Sequence, residues 1–163
     1  MASTSTNKQP LLVDNVLHVA VDMNAHKVGE NTATPGVVGG ANTAVKLLDC
    51  IGRDGAVIES MYTISRAAEE YKINLYLATS GDYLRPEQSV FIGQIKSATS
   101  VNGKSYVDDL PPVLAPVAHT GSEAQLRALY IPRGAALWAG VEVVDINPVL
   151  TKAPILGIQG GNY

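Results

Sequence analysis

Apolar and polar positions alternate most clearly over residues 71–79, YKINLYLAT. Tyr71, Ile73, Leu75 and Leu77 share one parity, and Lys72, Asn74, Tyr76 and Ala78 share the other. A period of two with one apolar face predicts a strand lying over a core. Ser80-Gly81-Asp82 ends it. LLVDNVLHVAV (11–21) is a second run, rich in leucine and β-branched residues. VKLLDCI (45–51) leads through Gly52-Arg53-Asp54-Gly55 into AVIESMYTI (56–64), and Asp-Gly between two apolar runs is a hairpin signal. SVFIGQIKSATSV (89–101) is followed by Asn102-Gly103, the strongest short hairpin signal, and the returning KSYVDDL stops at Pro111-Pro112. PILGIQGGNY closes the chain. The one helical candidate is Ile64 to Tyr71, one or two turns at most.

Turn signals recurring about every ten residues between short strands predict an all-β fold, a jelly-roll-like β-sandwich. The polar MASTSTNKQP reads as a flexible arm over 1–10, and 11–163 as one domain. NTATPGVVGGANTA (31–44) reads as a long, specially bent loop.

The segment ALYIPRGAALWAGVEV (128–143) holds the only tryptophan. Pro132 fixes φ near roughly −65° and so forbids a primed two-residue turn. A type I turn with Gly134 left-handed, forming a bulged hairpin, is expected instead. That register sets Ile131 against Ala135 and Ala128 against Trp138. Leu126, Ala128, Tyr130, Ala136, Trp138 and Gly140 then form one face, with Trp138 filling the core of the sandwich. Gln125, Arg127, Leu129, Leu137 and Val141 form the other. The expected partner surface is that mixed face, through Arg127 and Leu129, together with Arg133 at the turn tip and Lys8 and Gln9 in the arm.

Charged residues make up 17% of the chain, against the roughly 25% usual in soluble proteins. Low charge suits a surface that other chains cover. The net charge of −3 comes without a basic stripe, so no nucleic-acid partner is expected. No apolar run approaches the roughly 18 residues of a membrane span, so no membrane partner is expected either. A single cysteine, Cys50, excludes an intrachain disulfide and fits a reducing compartment.

Catalytic chemistry is hard to assemble. His18, His26 and His119 are scattered, without C-x-x-C or H-E-x-x-H spacing. G-x-S-x-G is absent, and His119, Ser122 and Glu123 lie in a Pro/Gly loop that reads as turn chemistry. Gly36, Gly39 and Gly40 lack the Lys-Ser/Thr of a phosphate loop. Asp108-Asp109 and Glu69-Glu70 are adjacent pairs, which on a strand face opposite ways. No catalytic, cofactor-binding or metal-ligating residue is therefore expected, no cofactor, and no small-molecule substrate. Tyr83, Tyr106 and Tyr130 leave a carbohydrate-binding module open as an alternative, since exposed aromatics can stack on sugars. Tyrosine is also an ordinary strand residue.

INLYLATSGDYLRP and LPPVLAPVAHTGSEAQLRALYIPRGAALWA, flanked by STSTNKQPLLVD and GIQGGNY, resemble small structural proteins of tailed bacteriophages, particularly those infecting cyanobacteria. The resemblance is spread over most of the chain and has no short diagnostic motif. It implies a non-enzymatic virion component present in many copies, a head decoration (cement) protein first, with a tail or baseplate component or a fibre-attached binding domain as the alternative. The implied partners are a major capsid protein and copies of itself, as a trimer. The implied place is the capsid surface, after assembly in the bacterial cytoplasm.

Overall fold

The computed structural model describes residues 15–29, 44–50, 52–78, 88–106, 117–118, 127–143 and 150–162. The expected arm over 1–10, most of the 31–44 loop, and His119, Ser122 and Tyr83 lie outside these residues.

The described strands are β1 (Asn15–Asp22), β2 (Lys27–Gly29), β3 (Val45–Asp49), β4 (Gly55–Ile64), β5 (Lys72–Ala78), β6 (Ser89–Lys96), β7 (Lys104–Tyr106), β8 (Val117–Ala118), β9 (Arg127–Pro132), β10 (Ala136–Val143) and β11 (Ile155–Asn162). They form two sheets. The first runs β1-β11-β4-β9-β8, with β7 also on β4. The second runs β2-β10-β5-β6, with β3 also on β10. The chain changes sheet repeatedly: β1 first sheet, β2 and β3 second, β4 first, β5 and β6 second, β7 to β9 first, β10 second, β11 first. That alternation is the winding of a jelly roll, in which most neighbours within a sheet are distant in sequence. The fold is the all-β sandwich that the turn spacing predicts.

The helix expected after Ile64 does not form. Ser65 gives its amide to the Gly103 carbonyl at 2.9 Å and accepts from Asn102 at 2.8 Å. Its hydroxyl donates to the Ala67 carbonyl at 2.8 Å. With these groups engaged elsewhere, a helical turn has no start. A 3-10 turn spans Met23–Ala25, capped by Asp22 accepting from the Asn24 amide at 3.0 Å.

Turns form at Asn102 and Gly134 and, just before the expected Asp54-Gly55, at Gly52 (φ +79), and none of the three is a hairpin. Asn102 takes φ +59, and Gly55 and Gly134 take φ +130 and +80. Asp54-Gly55 carries the chain from β3 in the second sheet to β4 in the first. Asn102-Gly103 carries it from β6 to β7, again across the sandwich. Pro132-Arg133-Gly134 carries it from β9 to β10. Its closing bond runs from the Ala135 amide to the Pro132 carbonyl at 3.1 Å, so Pro132 is the first residue of the turn. Gly134 is left-handed, a conformation that costs glycine little.

The expected Ala128–Trp138 pairing therefore does not exist. Ala128 pairs with Val117, and Trp138 pairs with Tyr76 and Lys46. The parity grouping holds, but the faces are inverted. Leu129, Ile131, Leu137, Ala139 and Val141 enter the layer between the sheets. Trp138 is buried, 2% exposed, in a separate cluster with Ala136, Tyr76, Ala78 and Val28. An arch explains this. Both of its strands turn their inner faces to the same inter-sheet layer, which aliphatic side chains fill more closely than an indole.

A bulge keeps β4 in that layer along its length. Gln159 faces Ser60 and Gly160 faces Ile58, so Glu59 has no partner. Ile58 and Met61 thus both point into the core despite their odd spacing.

Two stability measurements test this packing. Leu129→Ala should cost about 2–5 kcal/mol by denaturant unfolding, since it empties a core site. A near-zero cost would place Leu129 at the surface. Thr63 is buried with its hydroxyl unpartnered. Thr63→Val keeps the shape, removes the unmet group, and should raise stability by about 1 kcal/mol in the same assay.

Candidate functional site

The most chemically varied described layer is the outer side of the second sheet, much of it buried. Its first row crosses four strands in register: Lys46 on β3, Trp138 on β10, Tyr76 on β5 and Phe91 on β6. The Lys46 ammonium lies 5.3 Å from the indole centroid and 2.9 Å from the Asp49 carboxylate. Tyr76 and Phe91 meet edge-on, with centroids 5.9 Å apart. These are cation–π and T-shaped contacts that favour aromatic rows across strands.

The next row is polar. Gly140, Asn74 and Gln94 are in register across β10, β5 and β6. Gly140 is required here, because a Cβ at that position would collide with the Val28 side chain that lies over it. Glu142, beyond Gly140, gathers the donors. Its Oε2 accepts from Asn74 Nδ2 at 3.2 Å and Gln94 Nε2 at 2.9 Å. Its Oε1 lies 3.5 Å from the Lys72 ammonium. Gln94 Nε2 also donates to Asn74 Oδ1 at 2.8 Å. One carboxylate thus ties β5, β6 and β10 together.

Two buried donors above this network lack partners, Tyr76 Oη and Trp138 Nε1. Burial pushes the Tyr76 phenol up. Asn74, beside it without a well-formed hydrogen bond, pulls it down, and the Glu142 charge adds to the rise. Tyr76 and Trp138 are closed to solvent, so neither is a stacking platform for a sugar. The arrangement braces the sheet.

The outer face of the first sheet is more open. His18, Gln159 and Ser60 lie in one cross-strand row on β1, β11 and β4. Ser60 Oγ donates to Gln159 Oε1 at 3.3 Å. Tyr62 lies over Gly157, where a Cβ would strike its ring, and its hydroxyl is 2.9 Å from His18 Nε2. Val16, on the same face of β1, is 88% exposed.

The expected partner residues fare differently. Lys8 and Gln9 lie outside the described residues. Arg127 is on β9, opposite Ala118, and its side chain is not described. Arg133 is exposed at the tip of the arch, 3.7 Å from Asp54 on the neighbouring arch. Leu129 is corrected: at 1% exposure it is a core residue and cannot touch a partner. Of the tyrosines, Tyr130 is half-buried, and the Tyr106 side chain is not described. Among the described residues, no three His, Cys, Asp or Glu side chains converge as metal ligands. Cys50 is buried in the main core. Burial pushes its thiol up, Arg53 opposes this, and Asp49 adds to it.

The exposed edge at Val16 escaped the sequence reading, although a signal was present. LLVDNVLHVAV contains no lysine, arginine, glutamate or proline, the residues that usually guard a sheet edge.

Trp138→Ala should cost about 3–5 kcal/mol, because the ring fills its own buried cluster. Thermal and denaturant unfolding should agree on the loss; a loss under about 1 kcal/mol would mean that the ring packs poorly. No family model, no curated protein and no solved structure matches this chain.

Proposed function

We infer that this chain is a non-enzymatic structural protein of a tailed-phage virion, and specifically a head decoration protein that stabilises the capsid by contacts among many subunits. One observation carries the reading. On the outer side of the second sheet Asn74, Gln94 and Glu142 are spent bracing strands, while three valines stand bare to solvent: Val16 at 88%, Val90 at 65% and Val101 at 60% exposure. Contacts between permanent subunits are apolar at their centre, and exposed valines suit such contacts. The jelly-roll winding supports the reading, since capsid proteins are among the proteins built this way. Fold alone does not carry function, so the surface is the weightier support. The partners are the major capsid protein and copies of this chain, with the trimer as the assembly. The place is the outer surface of the head.

Particle dissection tests this. Mass spectrometry of separated heads and tails should find the chain in heads; finding it in tails alone would move it to a tail or baseplate role. Deleting residues 1–10 should reduce attachment of purified protein to bare capsids more than it lowers the melting temperature. Equal attachment by the truncated protein would remove the arm from the contact. A glycan array with strong, specific hits would favour a carbohydrate-binding module instead.

A further inference from the structure

We propose that the free edge of β1 is a docking strand for a second copy of this chain, paired antiparallel about a twofold axis at Val19. This contact does not depend on the virion role.

β1 is the outermost strand of its sheet. Its eight residues pair with β11 from Asn15↔Asn162 to Asp22↔Ile155 without a bulge. Among the described residues, nothing pairs with its other edge. Sheet edges are ordinarily guarded by lysine, proline, a bulge or an inward charge, because unpaired amides and carbonyls otherwise recruit another strand. β1 has none of these guards. Its only charged residue, Asp22, is neutralised by Arg66 at 2.7 Å. That bond, with the Asn24 amide, holds the Asp22 carboxyl below the usual range. The opposite edge of the sandwich differs: β6 carries a bulge opposite Leu75 and Tyr76 and ends in Lys96.

The inner face of β1 shows what is missing. Leu17, Val19 and Val21 pack against the main core yet stay only half-buried. In a two-layer sandwich, inward residues of a covered strand are closed off; here, among the described residues, one flank lacks a neighbour.

A second copy supplies that neighbour because β1 is self-complementary. Centring on Val19 sets Leu17 against the partner's Val21, and Val19 against itself. Within the paired segment from Val16 to Asp22 every inner pair is then aliphatic, the outer pairs are Val16 with Asp22 and His18 with Ala20, and Asn15 falls beyond the partner's strand, at Met23. Centring on His18 would instead oppose two imidazoles and set Asn15 against an inner valine. Aliphatic cross-strand pairs favour the first register. An isologous contact of this kind closes on itself as a dimer, or joins neighbouring oligomers where another contact makes a ring.

The test is sedimentation equilibrium of the full chain over a wide concentration range, with Val16→Asp and Val16→Lys beside the unaltered protein. Val16 is exposed, so both variants should melt as the parent does. The parent should associate reversibly through the twofold contact. Val16→Asp and Val16→Lys each set an unpaired charge against the Asp22–Arg66 pair in place of an aliphatic side chain, and each should weaken that step about tenfold. Hydrogen exchange should protect alternate β1 amides as association proceeds. A chain that stays monomeric throughout would overturn the proposal. So would association that neither charge disturbs.

Discussion

The sandwich depends on one backbone clasp at Cys50. The Cys50 carbonyl accepts from the Gly134 amide at 2.9 Å and from Arg53 at 3.2 Å, and the Cys50 amide donates to the Ala135 carbonyl at 2.9 Å. These bonds tie the arch after β3 to the arch after β9 where both cross between the sheets. On one side Ala136 pairs with Asp49 in the second sheet, and on the other Gly55 pairs with Pro132 in the first. A two-stranded ribbon is thus folded over the rim of the sandwich with its register kept. Backbone amides in such a bend would otherwise be buried without partners, which is costly. The side chain of Cys50 adds core packing; its peptide groups hold the corner.

That corner decides the chemistry of both faces of β10. Leu137, Ala139 and Val141 turn into the layer between the sheets, while Ala136 and Trp138 turn outward beside Tyr76. The outward face then needs its own order, and Lys46, Asn74, Gln94 and Glu142 supply it. A carboxylate accepting from two amides beside an ammonium fixes strand positions more closely than apolar packing alone, because each bond has a direction. The two unpartnered donors, Tyr76 Oη and Trp138 Nε1, are the cost of placing large rings over small neighbours there.

Low charge has a consistent physical meaning in this molecule. Several of the ion pairs are peripheral, such as Lys96–Glu70 and Arg133–Asp54, and pairs of that kind add little stability. The sandwich is held by aliphatic burial and ladder hydrogen bonds, and among the described residues Val16, Val90 and Val101 stand exposed. Such a body tolerates neighbours without the desolvation penalty that a charged rim would impose.

Strand content, the two-layer class and the location of tight turns were legible in the sequence, because alternation and Gly, Asn and Pro preferences act over a few residues. YKINLYLAT became β5, and Gly134 took the left-handed conformation that its turn requires. The grouping of 128–143 into two faces was legible too. Which face meets the core was not, and so Leu129 and Trp138 exchanged roles. A turn sets a local reversal; whether the returning strand joins its predecessor or crosses to the other sheet depends on distant partners. Here Cys50 is the partner of Gly134 and Ala135, more than eighty residues away in the chain. The short helix after Ile64 was lost for the same reason, since Gly103 and Asn102 took the Ser65 peptide groups. Local sequence determined where this chain bends and which residues travel together. Only the tertiary structure decided which sheet each strand entered, and with it which side chains form the core, the brace and the open edge.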